Sequence, residues 1–362
     1  MITEYLGKLN LPDVMMDTET GCPVTAAGWE RHRKTLLGHL AQEEYGILPP
    51  APESIRTELL ERRDQAFGGK AVHELHSLTC DTPGGPFTFP FHLILPSECA
   101  DEVKIFLHVT FSRDVPDAYF PVEEILSEGF GMASFCYEDV VPDKPDGLSE
   151  GLAGLFGADQ RAGNGCGAIG YWSWAAQRVM DYLQTRPSVD RERIAVVGHS
   201  RLGKTALWCA ATDERFQLAV SNESGCSGAA ITREKAGERV ENITGTFPHW
   251  FCPNYRKYAG AEDKMPFDQH FLLAAIAPRL LYVASAQGDQ WADPQSEFLG
   301  CAAASSAYAM HGLHGFITPD AFPVPGTVLQ EGEVGYHLRE GDHSFMPEDW
   351  RKIMDFWKHH GV

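Results

Sequence analysis

The stretch "IAVVGHSRLGKTALW", residues 194–208, decides the fold. Four apolar residues, a run suited to a buried strand, lead into Gly198, His199 and Ser200. From Arg201 onward the apolar spacing is that of a helix. A strand that turns sharply into a helix at a serine is the geometry of a nucleophile elbow, where backbone crowding calls for small flanking residues. Gly198 stands two before the serine and Gly203 three after it, while Leu202 occupies the more usual second glycine position. A serine that merely caps the helix 201–211 has the same local pattern. The stretch alone leaves both readings open.

Working outward, strands and helices alternate. "KIFLHVTF", "GMASFCY", "QLAVSN" and "PRLLYVASA" read as strands, as does a short run near 333–337. Helices are expected at 121–128, 168–186, 294–310 and 347–359. This alternation predicts a three-layer αβα sandwich around a mainly parallel sheet. Before it, residues 54–62, 71–79 and 87–95 read as strands joined by Pro/Gly turns, which makes the N-terminal part of the sheet antiparallel. The chain reads as one domain over 1–362, with an N-terminal extension over about 1–50 that holds a helix near 25–45. The segment 224–270 carries Phe247, Trp250, Phe251, Tyr255 and Tyr258 with little helical period. It reads as a lid or pocket wall, or else as a small satellite core.

Composition narrows the function. With 30 basic and 50 acidic residues, the net charge of −20 argues against nucleic acid as a partner. No run of 18 apolar residues appears, so no membrane partner is expected. The nine cysteines, from Cys22 and Cys99 to Cys301, are scattered without a CxxC pair. They read as buried thiols of a reducing compartment, and the N-terminus shows no signal-peptide pattern, so a cytoplasmic location is expected. His249 and Cys252 in "HWFC" lack a completing ligand pair. No metal or cofactor is expected.

If Ser200 is a nucleophile it needs a base and an orienting acid, in the chain order serine, acid, histidine of an α/β-hydrolase. His343, in the loop "REGDHSF" before the closing helix, stands where that base belongs; His337 reads as a strand residue. Two acids are available. Glu223 in "SNESGCSG" follows the strand after the elbow helix, and Asp289 in "SAQGDQWADP" follows the next strand. Fold logic favours Asp289, whereas nearby Asp293 before Pro294 looks like a helix cap.

Taken in order, "GHSRLGKTALW", "SNESGCSG", "DQWADP" and "GDHSF" resemble the glucuronoyl esterases of carbohydrate esterase family 15, especially bacterial members, from about residue 43 to the final helix. The family pattern of serine, arginine, any residue, glycine and lysine is matched by Ser200, Arg201, Gly203 and Lys204. The resemblance implies hydrolysis of esters of (4-O-methyl)glucuronic acid, and so a small uronate or carbohydrate ester as partner. It ranks Glu223 first and Asp289 second as the acid. It implies that Arg201 assists the oxyanion hole, that Lys204 binds sugar hydroxyls and that Trp291 packs beside the sugar; Trp250 is a further candidate substrate contact. The plain alternatives are an exposed helix lysine for Lys204 and a core tryptophan for Trp291. Where fungal members carry a cysteine before the serine and another beside the histidine, this chain has His199 and Ser344. That bridge cannot form. Two rival functions remain: an intracellular carbohydrate acetylesterase, and a binding module that retains the fold.

Overall fold

The structure is a computed structural model and describes residues 2–17, 20–98, 102–157 and 162–360; Cys99 lies outside the described residues. Among the described residues ten strands form one sheet. They are β1 (Ile55–Gln65), β2 (Ala71–Thr82), β3 (Gly85–Pro96), β4 (Val103–Thr110), β5 (Gly131–Cys136), β6 (Val189–His199), β7 (Leu218–Asn222), β8 (Leu280–Ala286), β9 (Val328–Leu329) and β10 (Val334–Arg339). Their spatial order is β1-β2-β3-β5-β4-β6-β7-β8-β10-β9. The first three run antiparallel, and β3 meets β5 antiparallel. From β5 through β4, β6, β7 and β8 to β10 every pairing is parallel. The fold is that of an α/β-hydrolase, with the antiparallel N-terminal strands that the turn signals predict.

The central strands are apolar on both faces because both faces are covered. Successive side chains alternate sides. In β6, Ile194 and Val196 join one core and Ala195 and Val197 the other. The larger core takes helices Trp29–Glu43, Ala168–Leu183, Arg201–Thr212 and Pro294–Ala304. The smaller takes Val122–Ser127 and Pro347–His360. The helix Trp29–Glu43 belongs to the main core, since Trp29, Leu36 and Leu40 are buried there. Among the described residues no helix is long and apolar enough to cross a membrane.

Register positions the site. His199 pairs with Asn222, Asn222 with Ala284, and Ala286 with Arg339. Four neighbouring strands therefore end together at their carboxyl edge, where open parallel sheets bind ligands. Ser200 follows β6, Glu223 follows β7, Asp289 follows β8 and His343 follows β10.

The turn at Ser200 depends on its glycines. A Cβ at Gly198 would lie 1.9 Å from the Leu202 carbonyl oxygen. One at Gly203 would lie 3.0 Å from Ser224 Cβ, a tight but less severe contact. Leu202 itself points into the core. The second small residue is thus required at 203, where the helix approaches the loop after β7. Gly198→Ala should destabilise the protein by about 3 kcal/mol, at the upper end of overpacking costs, and by more than Gly203→Ala; denaturant unfolding of both variants checks the order.

Candidate active site

Ser200 adopts φ 58° and ψ −126°, a left-handed conformation that side chains rarely take. Its amide donates to Asn222 O at 2.8 Å, which extends the β6–β7 ladder into the turn. Its side chain makes no capping hydrogen bond to the helix that follows. The local pattern is therefore an elbow that presents the hydroxyl, and not a capped helix start.

The hydroxyl faces a cavity of about 320 Å³, whose wall also includes Arg201, Lys204, Glu223, Asp289 and His343. Phe247, Trp250 and Trp291 contribute aromatic surface, and Glu238 adds a carboxylate. All the residues singled out in the sequence as site candidates thus meet in one place.

His343 is held from below by two acids. Its Nδ1 donates to Asp289 Oδ2 at 2.6 Å and lies 3.2 Å from Glu223 Oε2. Burial disfavours the imidazolium, but these two carboxylates outweigh it and raise the His343 pKa to about 9. Asp289 responds in the opposite sense. Burial pushes its carboxyl up, yet the His343 contact overrides this and holds it below its ordinary value. Glu223 is fully enclosed, and burial lifts it to about 7. One of its oxygens receives Arg339 Nη2 at 2.5 Å and the other the Ser344 amide at 2.9 Å. Asp289 is therefore the nearer of the two acids to His343 Nδ1, with Glu223 also in reach. The reason is that the oxygens of Glu223 are committed to Arg339 and to the loop that carries His343.

Arg339 ties this loop down. It also donates through Nε to Asp349 at 3.0 Å and through Nη2 to Ser344 O at 2.7 Å. His337 is buried in β10 and bonds Asp349 at 2.7 Å. Asp293 caps helix Pro294–Ala304 by accepting from the Ser296 amide. Neither faces the cavity as a base or acid.

Arg201 extends its guanidinium across the aromatic wall, 4.8 Å from the Trp250 ring centroid. Its Nη1 donates to Asp143, in the loop after β5, whose side chain is almost wholly enclosed. Asp143 also receives His249 Nε2 and Trp250 Nε1, both at 2.7 Å, and the Tyr137 hydroxyl at 3.1 Å. Burial opposes a charge there, but these donors hold the Asp143 pKa at about 2. Lys204 is buried, not an exposed helix lysine, and donates to the Ser224 carbonyl. Burial lowers its pKa. Trp291 is 57% exposed, so it is not a core tryptophan. Trp250 lines the cavity but is itself buried, stacked on Phe247 at 3.8 Å.

Residues 224–270 divide between two roles. Glu238, Phe247 and Trp250 reach the cavity, while Tyr255 and Tyr258 lie in the main core with Phe251. His199 packs its ring 4.5 Å from that of His343 and bonds Asn222 Oδ1 at 2.5 Å. Burial drives its pKa down to about 3, so it is a neutral neighbour to the catalytic candidate. Glu223, Asp289 and His343 also bring ligand atoms within 4.8 Å of one another. The shared Nδ1 hydrogen bonds and the Arg339 contact already account for that cluster.

Comparisons with known proteins give the family. A family model described as glucuronyl esterase, fungi, matches residues 93–312. A carbohydrate esterase from an unknown prokaryotic organism is 32% identical, over 98% of this chain and 90% of that protein. The chain belongs to the glucuronoyl esterases, carbohydrate esterase family 15. A solved glucuronoyl esterase from Solibacter usitatus superimposes with a TM-score of 0.89 at 37% identity, over 96% of this chain and 97% of that one. A 4-O-methyl-glucuronoyl methylesterase from Schizophyllum commune is 28% identical over 84% of this chain and 75% of its own length.

The sequence reading missed Asp143, Glu238 and Arg339. Asp143 stands in "VVPDKPD", a loop without period, and nothing local marks it. If Asp289 is the principal partner of His343, Asp289→Asn should lower the His343 pKa from about 9 by more than Glu223→Gln does. Loss of a facing carboxylate removes stabilisation of the imidazolium. NMR titration of the imidazole in both variants checks the order.

Proposed function

We propose that this family member is a glucuronoyl esterase that cleaves the ester between the carboxyl of (4-O-methyl)glucuronic acid and an alcohol. Its class, a carboxylic ester hydrolase, follows from family membership. The observation that carries the finer reading is the left-handed, uncapped Ser200 in one cavity with His343 and Arg201. A generic esterase needs the first two. Arg201, Lys204, Glu238 and Trp291 add what a sugar bearing an esterified carboxyl calls for: a cation near the carbonyl, polar groups for hydroxyls and an exposed ring for an apolar sugar face.

In this mechanism Ser200 Oγ attacks the uronoyl carbonyl carbon while His343 Nε2 takes its proton. Asp289 holds the imidazole through Nδ1 and stabilises the imidazolium, with Glu223 as a second, more distant carboxylate. The carbonyl electrons move onto oxygen. The Arg201 amide, the first in a helix and so without an intrahelical acceptor, donates to that oxyanion. The Arg201 guanidinium adds a charge-assisted bond worth about 1.5–3 kcal/mol. Collapse expels the alcohol, which takes the proton from His343. Water then repeats the sequence on the acyl-enzyme and releases the uronic acid.

Methyl glucuronate should be cleaved far faster than p-nitrophenyl acetate, and purified protein that hydrolyses only the acetate would leave the substrate assignment wrong. Ser200→Ala should lower kcat by about 10⁴-fold or more, and Arg201→Ala by about 10²-fold. Neutral His343 is the reactive form and its pKa is raised, so kcat/KM should rise with pH through the neutral range toward about pH 9. A rate that falls with pH over that range would contradict the assignment of the base.

A further inference from the structure

The charges around the cavity come in pairs. His343 faces Asp289, Glu223 faces Arg339, and the charge of Lys204 is opposed by that of Glu238. Arg201 has Asp143. The cation nearest the reacting carbonyl is thus already half answered, by a carboxylate that stands outside the reaction. The Asp143 side chain is 3% exposed and makes no part of the cavity wall. Its four donors come from the elbow helix, the 224–270 segment and the loop after β5. The pairing leaves Arg201 incompletely used: Nη1 goes to Asp143, whereas buried Nε has no hydrogen-bond partner among the described residues.

The reaction sets a particular problem for such a site. The substrate ester is neutral at its carboxyl group, the transition state carries a transient oxyanion, and the product is a permanent carboxylate. An unpaired arginine beside the catalytic serine would hold the product most tightly, since a carboxylate accepts a charge-assisted bond in its ground state. A guanidinium with one edge bound to a fixed carboxylate keeps its geometry and loses much of its attraction for a second anion.

We propose that Asp143 is a positioning and specificity residue: it aims Arg201 at the oxyanion and partly offsets its charge, so that the site favours neutral uronate esters and releases the free uronic acid. This rests on the reading of Arg201 as an oxyanion donor.

The test compares inhibition of methyl glucuronate hydrolysis by free glucuronate and by neutral glucuronamide. In the unaltered protein the two should bind within about tenfold of each other. Asp143→Asn should lower kcat about tenfold and tighten glucuronate binding about tenfold, with glucuronamide unchanged. Asp143→Glu, which keeps the charge but displaces it, should lower kcat with little change in glucuronate binding. In an Arg201→Ala background, Asp143→Asn should change neither quantity. A merely structural role would weaken both ligands together, in either background, and that result overturns the proposal. So does glucuronate binding more than about 100-fold tighter than glucuronamide in the unaltered protein, a measurement that needs no variant to fold. Should Arg201→Ala retain full turnover of methyl glucuronate, the oxyanion reading itself fails, and the two failures are distinct.

Discussion

At φ 58° the backbone of Ser200 sits where a side chain costs of order 1–3 kcal/mol. Everything at the site follows from holding that turn. The Ser200 amide is fixed to the β7 carbonyl of Asn222, Gly198 leaves room for the Leu202 carbonyl, and Gly203 lets the helix settle against the loop after β7. Glu223, the first residue of that loop, is left-handed as well, at φ 47°. Its amide bonds Ala284 O of β8. The sheet's carboxyl edge thus passes directly into two strained turns, side by side, and their side chains reach the same cavity.

The second organising constraint is charge. The wall of this cavity holds three basic and three acidic side chains, and bringing their charges together would be costly without partners. The structure answers each from outside or across the wall. Arg339 bridges Glu223, Asp349 and the His343 loop, which couples the turn after β7 to the segment that carries His343. Asp143 does the same for Arg201 and the aromatic wall. The side chains that line the cavity are therefore placed by a surrounding shell of ion pairs as much as by the strands.

Most of the fold was legible in the sequence because it rests on local pattern. Apolar strand runs such as "IAVV" and "LLYVASA" and the helical spacing of 168–183 carry their own signal, and Ser200, Glu223, Asp289 and His343 each follow a recognisable strand. What was hidden depends on pairs distant in the chain. Asp143 meets Arg201 across 58 positions and His249 across 106. Whether Asp289 or Glu223 lies nearer His343 turns on a few tenths of an ångström and on Arg339, which no residue pattern near either acid reveals. The split of 224–270 between cavity wall and core was equally unreadable, because its aromatic residues serve both.

The most direct measurement is a crystal structure of Ser200→Ala with methyl 4-O-methylglucuronate bound. The account predicts the ester carbonyl carbon about 3–3.5 Å from the position of the missing Oγ. The carbonyl oxygen should lie within hydrogen-bonding reach of Arg201, with the sugar ring against Trp291 and its hydroxyls toward Lys204 and Glu238. A substrate bound with its carboxyl end away from Arg201 would contradict it.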